Sequence, residues 1–595
     1  MNDKVEVRGG TLEEGLANGR HLLAEHPEAA LTQARALLKL GPEPRILRLA
    51  AAAHRKLGET VAAEAAELAA IKQSLSDGSL SDAATAELDG RSGEASALAA
   101  EHLREQPDDL LAMTISAESA ITLRRLTEGE ALLRIVLERA PSFLRASIML
   151  AKSLMLQSRM AEAMAVINEV IARKPNNLTA IQLLAQLRSE TRDYEGAAAG
   201  YERILPENDD SIELWVTYAD SLRFLGRAMD SRLAYQRALV LDGGSGSAWW
   251  GITNLDPAAV SDDEIARMEQ ALAERADQPE DAGQLHFALG GVFDKRGRYA
   301  DAFSHFAEGN RLRLAAQPYD PSSLGDEVDR SIAVFTKPFY AKRNAFAVSE
   351  DSPIFIVGMP RSGSTLAERV LGGHSEIEAA GELPVMPRMV ESLSVEAGGV
   401  GRYRELLPEM SGQRIHELGA LYVQRAREFR TTDRPRFTDK LHMNWRHIGL
   451  IHLILPKAKI IDVRRDAMDC CWSNYKLLFA RGHPAASDFE HIARFYADYA
   501  RMMDHMDVVA PGAVLRVQYE ELVDDLECGT RRMLDYLGLP FEPECLDFQR
   551  SKDPVATASS EQVRRPLNRE GVGAWKPYAE WLGPLRDALG PLAGD

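Results

Sequence analysis

Residues 353–366 read Pro353-Ile-Phe-Ile-Val-Gly-Met-Pro-Arg-Ser-Gly-Ser-Thr-Leu366, and this stretch decides the fold of the second half of the chain. Ile354 to Val357 form a short apolar run of the kind a fully buried strand shows. Gly358 and Gly363 punctuate a tight turn, and a helix begins at about Ser364. A turn of this kind folds the backbone round an anion, with successive N–H groups and the positive end of a helix pointing inward. Ser364 and Thr365 add hydroxyl donors, and Arg361 adds a planar positive fork. The glycines are spaced as in GxxxxGK[ST], yet Ser364 stands where the lysine would be. The turn is therefore expected to hold a phosphate but is poorly suited to triphosphate hydrolysis.

About a hundred residues on, Lys459-Ile-Ile-Asp-Val-Arg-Arg-Asp-Ala-Met-Asp-Cys-Cys-Trp-Ser473 again reads strand, charged turn, helix. The two stretches together resemble sulfotransferases, which take a sulfuryl group from 3′-phosphoadenosine 5′-phosphosulfate (PAPS) and release 3′,5′-ADP. The resemblance runs from about Pro353 to Lys576 and is nearest in pattern to protein-tyrosine sulfotransferases. It implies a P-loop-like α/β domain with a parallel central sheet. It also implies that Arg361, Ser362, Gly363, Ser364 and Thr365 hold the 5′-phosphosulfate, and that Arg465 and Ser473 hold the 3′-phosphate. The tyrosine-sulfating enzymes have an arginine four residues beyond that serine, where this chain has Leu477 beside Lys476. Tyr519 matches a family tyrosine near the adenosine. The segment 557–568 resembles the family's Ser-x-x-Gln-Val-x-x-Pro closure, with Ser559 or Ser560 facing the sulfonate or the bridging oxygen. Gly571-Val-Gly-Ala-Trp-Lys576 resembles the stretch that brings a base to the 3′-phosphate, although here Ala574 precedes the tryptophan and Lys576 follows it.

Sulfuryl transfer to a hydroxyl needs a base for the acceptor proton and positive charge where the leaving phosphate develops its own. Arg361 suits the second task. Lys440, at the end of Arg436-Phe-Thr-Asp-Lys440, matches the family's catalytic lysine. Glu382, in Ala380-Gly381-Glu382-Leu383, matches the family's Gly-Glu pair, whose glutamate is the base. His442 is the rival base, because small-molecule sulfotransferases often use a histidine. Glu382 is preferred. A plainer role for it is to cap a helix ahead of Pro384.

The first half is periodic. Pro107, Pro141 and Pro175 stand 34 residues apart, and Ala117, Ala151, Ala185 and Ala219 keep the same step. Amphipathic helix pairs are expected between the prolines, for example 144–157 and 160–173. Small residues at fixed phase let paired helices approach, and proline ends the second helix of each pair. This pattern resembles the tetratricopeptide repeat. Trp215, Ala219 and Tyr235 take its large, small and large positions, Ala197 and Tyr201 do so one unit earlier, and Gly290, Ala302 and Phe306 mark a further unit after an insertion at about 242–281. The segment 12–75 is expected to hold a divergent unit or a cap. Such arrays present a concave face, so the repeats are expected to take a peptide or protein acceptor or to make a homo-oligomer. The sequence leaves both open.

The expected fold class is therefore an all-α tetratricopeptide-repeat solenoid followed by an α/β sulfotransferase domain. The expected limits are 1–316 for the array, 317–350 for a linker rich in proline and serine at its start, and 351–595 for the α/β domain. Lys and Arg number 70 against 89 Asp and Glu, a net charge of −19, which disfavours nucleic acid as a partner. Four cysteines without a CxxC pair suggest neither a disulfide framework nor a zinc site, and no metal is expected. No apolar run of membrane-spanning length occurs and the start is polar, so a cytoplasmic protein without a membrane span is expected. The expected activity is PAPS-dependent sulfation of a hydroxyl, with tyrosine in a peptide or protein recruited by the repeats as the first choice. The alternatives are a sugar or small-molecule hydroxyl and a non-catalytic repeat scaffold. A kinase using the same loop would need the missing lysine and an acidic strand end, whereas the strand at 459–463 runs into Arg464-Arg465.

Overall fold

The computed structural model describes residues 11–76, 78–479, 483–550 and 567–594. The chain divides into two compact units, Met1–Ile204 and Leu205–Asp595. The first unit is a run of helix pairs, among them Leu110–Thr122 with Leu126–Arg139 and Leu144–Leu156 with Met160–Arg173. Alanines at one phase, Ala51, Ala83, Ala117, Ala151 and Ala185, are almost wholly buried where paired helices meet. In five of the pairs the tight turn places one residue in the left-handed region, at Gly58, Gly90, Arg124, Ser158 and Arg192. Glycine takes that conformation at no steric cost, while Arg and Ser do so at roughly 1–2 kcal/mol each. The pair Pro44–Lys56 with Thr60–Ser74 thus follows the same construction, with a 32-residue step from Gly58 to Gly90, whereas the helices Leu12–Glu25 and Pro27–Leu38 meet at His26 without a left-handed residue. Side chains on the same beat cap the first helix of several pairs: Asp109, Asn177, Ser211 and Ser245 each accept backbone N–H groups.

The second unit begins with further pairs, Ile212–Phe224 with Ala228–Leu241 and, last, Pro279–Lys295 with Tyr299–Ala316. Part of the expected insertion is regular: Gly246–Leu255 is capped on the 34-residue beat and buries Trp249 completely. The last pair packs on the α/β part. Phe303 lies 6.1 Å from Trp472, 6.4 Å from Phe489 and 5.7 Å from Trp581 between ring centroids. Through this packing the last pair belongs to the same compact unit as the sheet, although the composition changes near residue 317.

Five parallel strands form the sheet: β1 (Pro353–Gly358), β2 (Ile377–Glu378), β3 (Arg436–Asp439), β4 (Lys459–Arg464) and β5 (Val514–Gln518), in the order β2-β3-β1-β4-β5. β1 is central and fully buried, as its continuous apolar run requires. Ile354, Ile356, Val370, Ile461, Val463 and Leu534 fill the core against it. The register pairs Phe355 with Asp439 and Gly358 with Val463, so β1 and β4 end side by side and β3 ends three residues short of them. Chains leave β1 toward both edges, and ligands of open parallel sheets bind where the strand order reverses, at the carboxyl ends. Among the described residues no helix is long and apolar enough to cross a membrane.

Candidate active site

The loop after β1 is built on two glycines that nothing larger can replace. Gly358 has φ 149°, and a Cβ there would lie 2.4 Å from the Val463 carbonyl oxygen. Gly363 has φ 100°, and a Cβ there would lie 2.4 Å from Cδ2 of Tyr519. Arg361 between them also takes a left-handed φ of 65°. The helix Ser364–Gly372 starts at once, with Ser364 and Thr365 buried in its first turn.

Arg361 Nε donates to Ser473 Oγ at 3.3 Å, across 112 residues of sequence. Ser473 lies on the helix Ala467–Tyr475 that follows β4. Arg465 donates from Nη1 to the Arg361 carbonyl at 3.0 Å and from Nη2 to the Gly571 carbonyl, and its guanidinium stands 5.3 Å from the Tyr519 ring. Five of the expected cofactor positions thus converge: Arg361, Gly363, Arg465, Ser473 and Tyr519. Burial, and then the neighbouring Arg465 cation, push Arg361 down to about 10. Two guanidinium groups held this close favour an anion between them. Among the described residues Ser362 Oγ and Arg465 Nε are buried without a hydrogen-bond partner, as donors awaiting an acceptor would be. The residues present therefore fit a phosphate-bearing nucleotide.

The segment 571–576 is tied down by a residue that sequence reasoning passed over. Asp469 accepts from Gly573 N at 2.6 Å and from Trp575 N at 3.0 Å. It lies one helical turn after Arg465, a spacing the sequence displays without revealing its target. Lys576 is exposed beside Gly573. Lys476 points instead to the last repeat, where Nζ donates to Asp294 Oδ2 at 2.9 Å. Ser559 and Ser560 lie outside the described residues.

At the end of β3 the backbone N–H of Lys440 donates to the Gly381 carbonyl at 2.8 Å, which brings the Gly-Glu turn against the strand end. Glu368 from the loop's helix fastens the turn, accepting from Gly381 N at 2.9 Å and from Thr438 Oγ1 at 2.7 Å. Lys440 Nζ, almost fully buried, donates to Glu382 Oε1 at 2.7 Å. His442 Nδ1 lies 3.9 Å from the same oxygen, too far for a hydrogen bond. Burial lowers the pKa of His442, against the pull of Glu382, so its imidazole is neutral at pH 7. Lys440, Glu382 and His442 stand together at the end of β3, one strand away from the phosphate loop that carries Arg361.

Residues 353–543 match the sulfotransferase family profile, and residues 116–177 and 154–220 match tetratricopeptide-repeat profiles. An uncharacterised protein of Aquifex aeolicus is 32% identical over 336 residues, covering 55% of this chain and 44% of that protein. Protein-tyrosine sulfotransferase A of Caenorhabditis elegans is 25% identical over 264 residues, covering 42% of this chain and 68% of that protein. Among solved structures, the sulfotransferase domain of a Synechococcus olefin synthase is matched at 21% identity and a TM-score of 0.30, over 38% of this chain and 89% of that one. The chain spans less than half the length of the Aquifex relative and about two thirds of the nematode one. With the parallel sheet, the phosphate loop and the helix pairs, these matches make this chain one that carries a sulfotransferase-family domain behind tetratricopeptide repeats.

Proposed function

We propose that the protein is a PAPS-dependent sulfotransferase acting on a hydroxyl, with tyrosine in a peptide or protein brought by the repeats as the preferred acceptor. The observation that carries the donor is the convergence of Arg361, Arg465 and Ser473, from two separate strand ends, around one phosphate loop. PAPS supplies an activated sulfuryl group on a phosphate leaving group. Arg361, Ser362, Gly363, Ser364 and Thr365 would hold its 5′ end, and Arg465 and Ser473 its 3′-phosphate, with Tyr519 flanking both. Glu382 takes the acceptor's proton, and Lys440, bonded to it, supplies positive charge beside the transferring group. The acceptor class rests on the similarity to the nematode protein-tyrosine sulfotransferase.

Calorimetry with 3′,5′-ADP and 5′-AMP tests the donor, and labelled PAPS with a peptide library tests the acceptor. Much tighter binding of 3′,5′-ADP is expected, with label on tyrosine. Equal affinities for the two nucleotides would sink the donor assignment, and label confined to sugars or small molecules would sink the tyrosine assignment.

A further inference from the structure

The last repeat reaches into the framework of the cofactor site through one carboxylate. Asp294, near the end of the helix Pro279–Lys295, accepts from Lys476 Nζ at 2.9 Å on one oxygen and from the Tyr578 hydroxyl on the other. Lys476 directly follows the helix that carries Ser473, and Tyr578 lies just past the segment 571–576. The three side chains form a closed knot. The Lys476 ammonium stands 5.5 Å from both the Trp472 and the Tyr578 rings, and those rings lie 4.4 Å apart. Trp472 and Tyr578 are fully buried. Burial and the adjacent carboxylate raise the Tyr578 pKa, so the phenol remains a donor throughout the physiological range. Lys295 extends the tie at the surface, reaching Glu570 at 2.9 Å.

The parts that this knot joins are the parts that hold Arg465. The Gly571 carbonyl accepts from Arg465, Asp469 fixes Gly573 and Trp575, and Ser473 accepts from Arg361. We propose that Asp294 is a positioning residue for the nucleotide site: by holding Lys476 and Tyr578 together it fixes the Ser473 helix and the 571–576 segment against each other. The inference rests on the donor reading above. It gives Lys476 a task other than direct phosphate contact, and it makes the last repeat part of the cofactor site's support. Without Asp294 the Lys476 ammonium keeps its aromatic neighbours but loses its counterion, and the buried phenol loses its acceptor, so neither end of the framework stays fixed.

The test is calorimetry of 3′,5′-ADP and 5′-AMP on the full chain carrying Asp294→Ala, Asp294→Asn, Lys476→Met or Tyr578→Phe, with thermal unfolding measured alongside. Asp294→Ala should weaken 3′,5′-ADP about tenfold and 5′-AMP much less, because Arg465 and Ser473 face the extra phosphate. Asp294→Asn, which still accepts from Tyr578, should recover part of the loss. In combination with Asp294→Ala, Lys476→Met should add little, since each acts through the other. If Asp294→Ala does not fold, Tyr578→Phe and Asp294→Asn carry the same comparison. A lower unfolding temperature with unchanged 3′,5′-ADP affinity would overturn the proposal, leaving Asp294 a structural tie only. A Lys476→Met loss far above that of Asp294→Ala would also overturn it and make Lys476 a phosphate ligand. Failure of the unaltered chain to prefer 3′,5′-ADP is a separate result, visible without any variant, and it would remove the donor reading and this inference together.

Discussion

Glu382 and Lys440 share an oxygen-to-nitrogen contact of 2.7 Å at the end of β3, with His442 one step farther off, so the two candidate bases can be separated by substitution. Glu382→Gln keeps an oxygen for Lys440 and removes only the proton acceptor. Transfer should fall by about 10²–10⁴-fold, the usual worth of general-base catalysis, with 3′,5′-ADP affinity nearly unchanged. His442→Gln should retain most of the rate, and the reverse pattern in single-turnover assays would make histidine the base. Asp439, one residue before Lys440, offers a second reading of the same strand end. Burial pushes its carboxyl up to about 7, against the hydrogen bonds from Tyr422 at 2.7 Å and Leu441 N at 3.3 Å. Between the ordinary carboxyl value of 3.8 and about 7 the folded chain holds a proton that the unfolded chain has lost. Stability from this group is therefore greatest on the acid side and fades as pH rises through about 7. Measured against Asp439→Asn in urea, the unaltered chain should lose about 1 kcal/mol more between pH 6 and pH 8. Glu382, Lys440 and Arg465 were legible because each sits beside a strand end with a recognisable local pattern. Asp469 was not, because its partners lie 104 and 106 residues away and no local pattern points to them.

Strands β1 and β4 were legible from their local patterns, and the helices 144–157 and 160–173 appear within a residue of where the period placed them. The backbone rule behind the period stayed hidden. The left-handed turn position carries Gly58, Gly90, Gly226 and Gly297 in some pairs but Arg124, Ser158 and Arg192 in others. Arginine has no preference for that conformation, so only the packing of the two helices holds it there. The same masking hid the unit at Gly246–Leu255, whose first helix keeps the beat through its Ser245 cap while the helix Asp262–Glu274 interrupts the step to the last pair. Sheet order was not legible at all. Parallel strands are joined by long crossovers, and nothing local to Arg436–Asp439 says that it lies between β2 and β1.

For the molecule as a whole, the apolar pattern that restarts at Pro353 marks where the sheet begins, and the aromatic contacts mark where the folding unit begins. A chain starting at Leu205 should fold and bind 3′,5′-ADP like the full chain. A chain starting near Ala345 should bind less well or aggregate, because it strips Phe303, Phe306 and Tyr299 from Trp472, Tyr578 and Trp581. Each uncovered aromatic costs about 1.5–3 kcal/mol. Equal melting temperatures for the two truncated chains would show that the last repeat is dispensable to the sheet. The Asp294–Tyr578 contact also has a consequence in time. Its two ends are 284 residues apart, and at about 5–20 residues per second of synthesis the first waits roughly 15–60 s for the second to leave the ribosome. For more than half of that interval Phe303 lacks the Trp472 ring, and until its end the Trp581 ring, that later lie against it. The last repeat is the part of the nascent protein most in need of a chaperone's hold, and the first helix pairs, whose long side-chain contacts span 61, 72 and 78 residues, are completed much sooner.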